Sequence, residues 1–234
     1  MYAQSKRIRH QLERVAGKGA VEAKVAIALL LGLERDLPQG VRSCRFDQSV
    51  VVCARLGVDP RQADQIVRGS IVLPNGIGKS QRVVVFAQGD VASAALAAGA
   101  DVVGGKDLAE RIRAGWLDFD VAIASIDMMS VVGPLGKILG PRGLMPSVKA
   151  GTVTQDVSSA VKEYKAGKIE FRCDSGGNVN CVIGRMSFSD DQLLENFNSL
   201  LKYLRSLRPA TSKGQYFRRI GVSASMTPSI CVSA

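Results

Sequence analysis

Residues 168–189 read KIEFRCDSGGNVNCVIGRMSFS, and the fold turns on what this stretch lacks. Two short runs, 169–173 and 179–183, are rich in strand formers, and Ser175-Gly176-Gly177-Asn178 between them is a hairpin signal. Ser189 then opens a helix, with Gln192 completing a capping box. Leu193, Leu194, Phe197, Leu200, Leu201, Leu204 and Leu207 give that helix a continuous apolar face, and Pro209 stops it. A last strand is expected over 216–226. These elements are too few to close a core by themselves. The missing ones lie at the other end of the chain. Val21, Val25, Ala28 and Leu29 recur at helical spacing, so 20–35 is expected to be a helix, and the Val-rich run 46–56 a strand. Together the outer pieces offer about four strands and two helices, enough for a two-layer α/β sandwich split between residues 1–75 and 168–234.

The middle alternates instead. Strands are expected over 82–87, 101–103 and 121–125, with helices over 91–98 and 108–114. Such alternation implies a small doubly wound, three-layer α/β domain inserted as residues 76–167. The predicted class is therefore mixed, α+β outside and α/β inside. Charge divides along the same line. The 234 residues carry a formal net charge of +10. Residues 1–75 hold 12 basic and 7 acidic groups, 168–234 hold 9 and 5, and 76–167 hold 10 and 9. Nine of the ten excess positive charges thus fall in the outer pieces, which points to a polyanion surface there.

Composition excludes several functions. The only histidine, His10, rules out multi-histidine metal sites. Five cysteines without a C-x-x-C pair make neither a complete disulfide framework nor a zinc ribbon, so a reducing cytosol is expected. Cys53 and Cys181 sit in apolar runs and read as small buried hydrophobes. The longest apolar run, 26–33, is shorter than the ~18 residues of a membrane span. Lys6-Arg7-Ile8-Arg9-His10 could mimic a transit peptide, but Glu13 and Glu22 favour a solvated basic helix.

Each candidate motif has a plain reading beside the functional one. Gly76-Ile77-Gly78-Lys79-Ser80 resembles the end of a phosphate loop, yet Leu73 stands where the first glycine is needed and the strand follows the loop, so a hinge or turn is expected. Gly133, Gly136, Gly140 and Gly143 surround Pro134, Lys137, Pro141 and Arg142. That segment reads equally as a basic loop on nucleic acid backbone and as a mobile surface loop. Asp118 and Asp120 are expected to cap a turn, and Asp190 and Asp191 to complement a helix dipole. Arg45-Phe46 joins a cation to an aromatic face able to stack an unpaired base, although taken by itself Phe46 is expected to fill the core. In a strand running to 226, alternation would place Ser223, Ser225 and Thr227 on one face and Val222, Ala224 and Met226 on the other. Such a row of hydroxyls suits ribose and phosphate contact, although on these residues alone an ordinary solvated strand face is favoured.

Three stretches carry a resemblance to a known family. The first is Arg55-Leu56-Gly57-Val58-Asp59-Pro60, continuing through Val67-Arg68-Gly69 to Leu73-Pro74-Asn75-Gly76-Ile77-Gly78-Lys79. The second is Gly115-Trp116-Leu117-Asp118-Phe119-Asp120 with Leu139-Gly140-Pro141-Arg142-Gly143-Leu144-Met145-Pro146 and Lys149-Ala150-Gly151-Thr152-Val153. The third is Gly167-Lys168-Ile169-Glu170-Phe171-Arg172, then Lys213-Gly214 and Ser225-Met226-Thr227-Pro228. In order and over nearly the whole chain, these resemble the ribosomal protein L-one family of the mobile side stalk near the tRNA exit site.

The resemblance implies a split RNA-binding domain, with a second domain inserted through a two-strand hinge. It implies large-subunit (23S-type) ribosomal RNA as partner, a part in release of deacylated exit-site tRNA, and repression of the protein's own message through its leader. It implies no enzyme activity and no cofactor, a monomer within the ribosome, and a cytoplasmic location without membrane contact. The RNA-contacting positions carried over are Arg45, Phe46, Ser49, Lys168, Glu170, Ser223, Ser225, Met226, Thr227 and Pro228. Thr227 departs from the family, which has glycine there. The rivals are an RNA-binding regulator outside the ribosome and an enzyme built on the middle domain.

Overall fold

The structure is a computed structural model that describes residues 5–233, apart from the side chains of Ala63 and Lys149. The chain forms two units. The first begins with helices α1 (Lys6–Val15) and α2 (Ala23–Arg35) and strands β1 (Ser49–Leu56) and β2 (Arg68–Val72). The second carries β3 (Val83–Phe86), α3 (Asp90–Ala97), β4 (Val102–Gly104), α4 (Lys106–Arg113), β5 (Val121–Ala124), α5 (Met129–Val132), α6 (Gly136–Leu139) and α7 (Val157–Lys165). The chain returns through β6 (Lys168–Arg172). It then completes the first unit with β7 (Asn178–Arg185), α8 (Asp190–Ser206), β8 (Phe217–Ala224) and β9 (Ile230–Val232). The units divide after Gly78 and after Glu170. The sequence division falls at 75 and 167; the difference carries Lys168 and Glu170 across together, so the charge balance between the parts is unchanged.

In the first unit, a four-stranded sheet has the order β7-β1-β8-β9, with β1 antiparallel to both neighbours. Strand alternation turns Val50, Val52, Ala54 and Leu56 of β1 inward, together with Val179 and Ile183 of β7 and Ile220 and Val222 of β8, all at most 2% exposed. Helix α8 covers this face. Ser189 and Gln192 form the expected capping box, and Leu193, Phe197, Leu200 and Leu204 are buried. Asn196 is the one polar core residue of that helix, and its amide donates to the carbonyls of Gly76 (3.0 Å) and Ile183 (2.7 Å). The satisfied amide costs little and pins the connection that leaves β2.

Helix α2 forms where expected but buries a different face. Ala26, Ile27, Leu30, Leu31 and Leu33 are inside, while Val25 is 46% exposed. Nearly every residue from Val25 to Leu33 is apolar, so helical periodicity has several solutions. The sheet and α8 choose among them. Burying each Leu or Ile of this set contributes on the order of 1.5–3 kcal/mol.

The second unit is three-layered, around a parallel sheet of order β4-β3-β5. Val83 and Val85 pack on one side with Ala95, Val157, Val161 and Tyr164. Val84 and Phe86 pack on the other with Leu108, Ile112, Leu135 and Leu139. Strands buried on both faces need apolar residues at consecutive positions, which Val83-Val84-Val85-Phe86 supplies.

Candidate nucleic-acid interface

Arg45 and Phe46 lie on the irregular segment between α2 and β1. The strand expected over 46–56 begins only at Ser49. Asp47 is drawn off the strand path by Ser187, whose hydroxyl (2.8 Å) and backbone N–H (3.2 Å) both donate to its carboxylate. Phe46 is therefore not a core residue; it is 54% exposed, with exposed Arg45 beside it. An aromatic of this size left open to water is a surface for stacking or apolar contact.

The end of β8 also differs from the sequence reading. The strand stops at Ala224, and Ser225-Met226 form a turn. Thr227 closes it twice: its N–H donates to the Ala224 carbonyl (3.2 Å), and its hydroxyl accepts from the Ala224 N–H (2.9 Å). Alternation ends there, so Ser223, Ser225 and Thr227 do not share one face. Ser223 stays on the sheet, Ser225 is exposed at the turn, and the Thr227 hydroxyl is occupied. Met226, expected beside buried Val222 and Ala224, is 48% exposed. No described non-glycine residue has a positive φ. Thr227 thus occupies the family's glycine position without left-handed strain, and Pro228 follows it.

The segment at 45–49 and the turn at 225–226 are held together. Ser225 N–H donates to the Ser49 carbonyl (3.1 Å), and Met226 N–H donates to Gln48 Oε1 (2.9 Å). Gln48 is 2% exposed, and its amide donates onward to Glu34 Oε1 at 2.8 Å. That oxygen also accepts from Arg7 Nη1 (3.0 Å) and Gln11 Nε2 (3.4 Å), while Glu34 Oε2 accepts from the Cys44 N–H (3.3 Å). Arg7 further contacts Cys44 Sγ and the Met226 carbonyl. Glu34 is thus the centre of a partly buried polar network joining α1, α2, the 44–48 segment and the 225–226 turn. Such a network fixes backbone position because each member is costly to leave unpaired. Sequence reasoning missed Arg7, Glu34 and Gln48. One signal existed: Glu34 follows Leu30 by four residues and Leu31 by three, so it shares the buried face of α2.

Lys168 and Glu170 lie at the start of β6, within the second unit. The Lys168 ammonium is 2.6 Å from the Glu163 carboxylate and lies over the Tyr164 ring, 5.4 Å from its centroid. Glu170 is exposed.

The remaining motifs resolve structurally. Lys79 pairs with Asp120 at 2.8 Å, and the second oxygen of Asp120 accepts from the Arg82 N–H at 3.0 Å. Burial works against the Asp120 charge, but Lys79 and that N–H hold its carboxyl below the usual range. The first part of the glycine-rich segment is helical. A single 3-10 turn, Gly133–Leu135, follows α5 and leads into α6, burying Leu135 and Leu139 completely, and a turn at 141–143 follows. Cys181 is buried as expected, which pushes its thiol up to about 12, whereas Cys53 lies on the outer, half-open face of β1. No helix among the described residues is long and apolar enough to cross a membrane.

The first unit is thus a basic α/β sandwich with an exposed aromatic beside the end of its sheet, and the second a three-layer α/β unit. The sequence pattern of the "Ribosomal protein L1p/L10e family" matches residues 39–228. The chain is 54% identical over 206 residues to large ribosomal subunit protein uL1 of Alkalilimnicola ehrlichii, covering 88% of this chain and 87% of that protein. It is 57% identical over 190 residues to the protein of the same name from Cupriavidus pinatubonensis, covering 81% and 82%. To that of Gemmatimonas aurantiaca it is 51% identical over 220 residues, covering 94% and 92%. The chain belongs to the ribosomal protein L1p/L10e family, and it is a structural, non-enzymatic ribosomal protein.

Proposed function

We propose that this protein binds large-subunit ribosomal RNA through its first unit, as a monomer in the side stalk of the cytoplasmic ribosome. There it assists release of deacylated tRNA from the exit site, and it represses its own message by binding a similar RNA element in the leader. The observation that carries the RNA reading is Phe46, open to water beside Arg45 and fixed to the 225–226 turn through Gln48 and Glu34. Base stacking on the ring, phosphate contact by Arg45 and hydrogen bonding by Ser49 and Ser225 form one compact recognition surface. The net charge of the first unit, nine of the ten excess positive charges, supplies the backbone attraction. Lys168, Glu170, Ser223, Met226, Thr227 and Pro228 are assigned to the same function by family position.

The test is crosslinking in cells followed by sequencing of the bound RNA, with cosedimentation measured in parallel. Reads from the side-stalk region of large-subunit RNA, together with cosedimentation with large subunits, are the expected result. Crosslinks confined to messages, in a protein that never sediments with subunits, would instead make it a free-standing regulator.

A further inference from the structure

The inner face of the four-stranded sheet is covered, but its outer face is not. Alternation places Ser49, Val51, Cys53 and Arg55 of β1 on that outer face, and all are exposed or half-exposed. At the end far from Phe46, the register sets Arg55 directly opposite Arg219 of β8 and Asn178 of β7. Two guanidinium groups directly opposite one another repel and weaken a sheet. Neither arginine has a carboxylate partner among the described residues. Arg219 donates only to Cys231 Sγ, at 2.9 Å. The nearby Asp174 carboxylate is taken up by Asn178 and by the N–H of Gly176 (2.8 Å).

A shallow groove beside the pair is lined by Cys53, Asn178, Gly221 and Ser229. Gly221 keeps its floor low: a Cβ there would lie 2.6 Å from Ser229 Oγ. Cationic forks over a flat, small-residue floor edged with amide and hydroxyl groups suit a sugar-phosphate backbone, since guanidinium matches phosphate in geometry and charge.

We propose that the outer sheet face is a second phosphate-binding surface, on which the Arg55–Arg219 pair holds the RNA backbone about 20 Å along β1 from Ser49, six residues at ~3.3 Å each. This rests on the reading that the Phe46 end binds RNA, and extends it along the strand. The occupant is RNA rather than an acidic protein, because the face continues directly from Ser49 and Ser223, which share the strands of the Phe46 end.

The experiment uses the full chain and an in vitro transcript of the side-stalk region of large-subunit RNA, titrated from about 0.1 to 0.4 M salt. The double variant Arg55→Gln/Arg219→Gln should bind about tenfold more weakly at the lowest salt, with a log–log salt slope shallower by about 1.5, as for two lost phosphate contacts. Its melting temperature should hold or rise as repulsion is relieved, and Arg55→Lys/Arg219→Lys should retain the slope. Unchanged affinity and slope in the glutamine variant, while Phe46→Ala still weakens binding, overturns this proposal and leaves the Phe46 site standing. Unchanged RNA affinity with lost cosedimentation assigns the face to an acidic protein neighbour and also overturns it. A wild-type chain that binds the transcript no better than polyuridine removes both readings.

Discussion

The two units treat their basic residues differently. In the second, Lys79 faces Asp120, Arg82 faces Asp118, Lys165 faces Asp101 and Lys168 faces Glu163, each within 2.8 Å. These cations are answered within the unit. In the first, Arg14 pairs with Asp36, Arg185 with Asp47 and partly buried Arg7 with Glu34, while Arg45, Arg55 and Arg219 point outward with no carboxylate partner among the described residues. Exposed pairs add little stability. What they set is how much positive field remains for a polyanion. Both units form ion pairs, so the field left for a polyanion follows the excess of basic over acidic residues, which lies in the first unit.

The largest expected effect separates the units outright. The isolated second unit, residues 79–170, should lose about a thousandfold in affinity for the side-stalk transcript, ~4 kcal/mol. A chain carrying a short Gly-Ser linker in its place should stay within about tenfold of the full protein. Titration by fluorescence anisotropy decides it. If the isolated second unit kept most of the affinity, the comparison would be inverted.

Next in size is the network beneath the interface. Glu34→Ala leaves Arg7 half-stripped of water without its carboxylate, and should cost about 3 kcal/mol of stability. A urea unfolding midpoint unchanged from wild type would show that the network is not what positions the 44–48 segment. Phe46→Ala should behave in the opposite manner. It should lower RNA affinity by ~1–3 kcal/mol and barely move the melting temperature, because an exposed ring contributes little to the core. Ser225→Ala is smaller still, about 1 kcal/mol of binding, read at matched salt with folding followed by circular dichroism.

The last prediction concerns acid. Burial opposes the charge of Asp101, yet Lys165 and the Val83 N–H hold its carboxyl below the usual range, and Asp120 is held low by Lys79 and the Arg82 N–H. A carboxyl with a depressed folded value stabilises fully above its unfolded pKa, ~3.9. That contribution is lost as pH falls through the folded value. The melting temperature should therefore decline below about pH 4, and Asp101→Asn/Asp120→Asn should flatten that decline. An identical decline in the double variant would remove these pairs as its cause.

Much of the architecture was legible in the residues. The capping box at Ser189, the apolar ladder of α8 and the valine run of β3 specify their elements through local periodicity and hydrogen-bond chemistry. The insertion was visible as a change of pattern from segregated to alternating strands and helices. The charge division followed from counting. Family resemblance named Phe46 and Ser225, but local reading of the residues favoured the core for Phe46, which the structure places outside.

Tertiary structure decided those points. Phe46 is outside because Asp47 is captured by Ser187, 140 residues away along the chain. The 225–226 turn stands where it does because Gln48, 178 residues distant from Met226, accepts its N–H. The buried face of α2 was chosen by the sheet and by α8, since an almost wholly apolar helix carries no periodic preference. The opposition of Arg55 and Arg219 is a matter of register alone. Sequence fixes what each segment prefers within a few residues of itself. Which side chains end up exposed, paired or opposed depends on contacts between distant segments, and those energies exist only once the chain has folded.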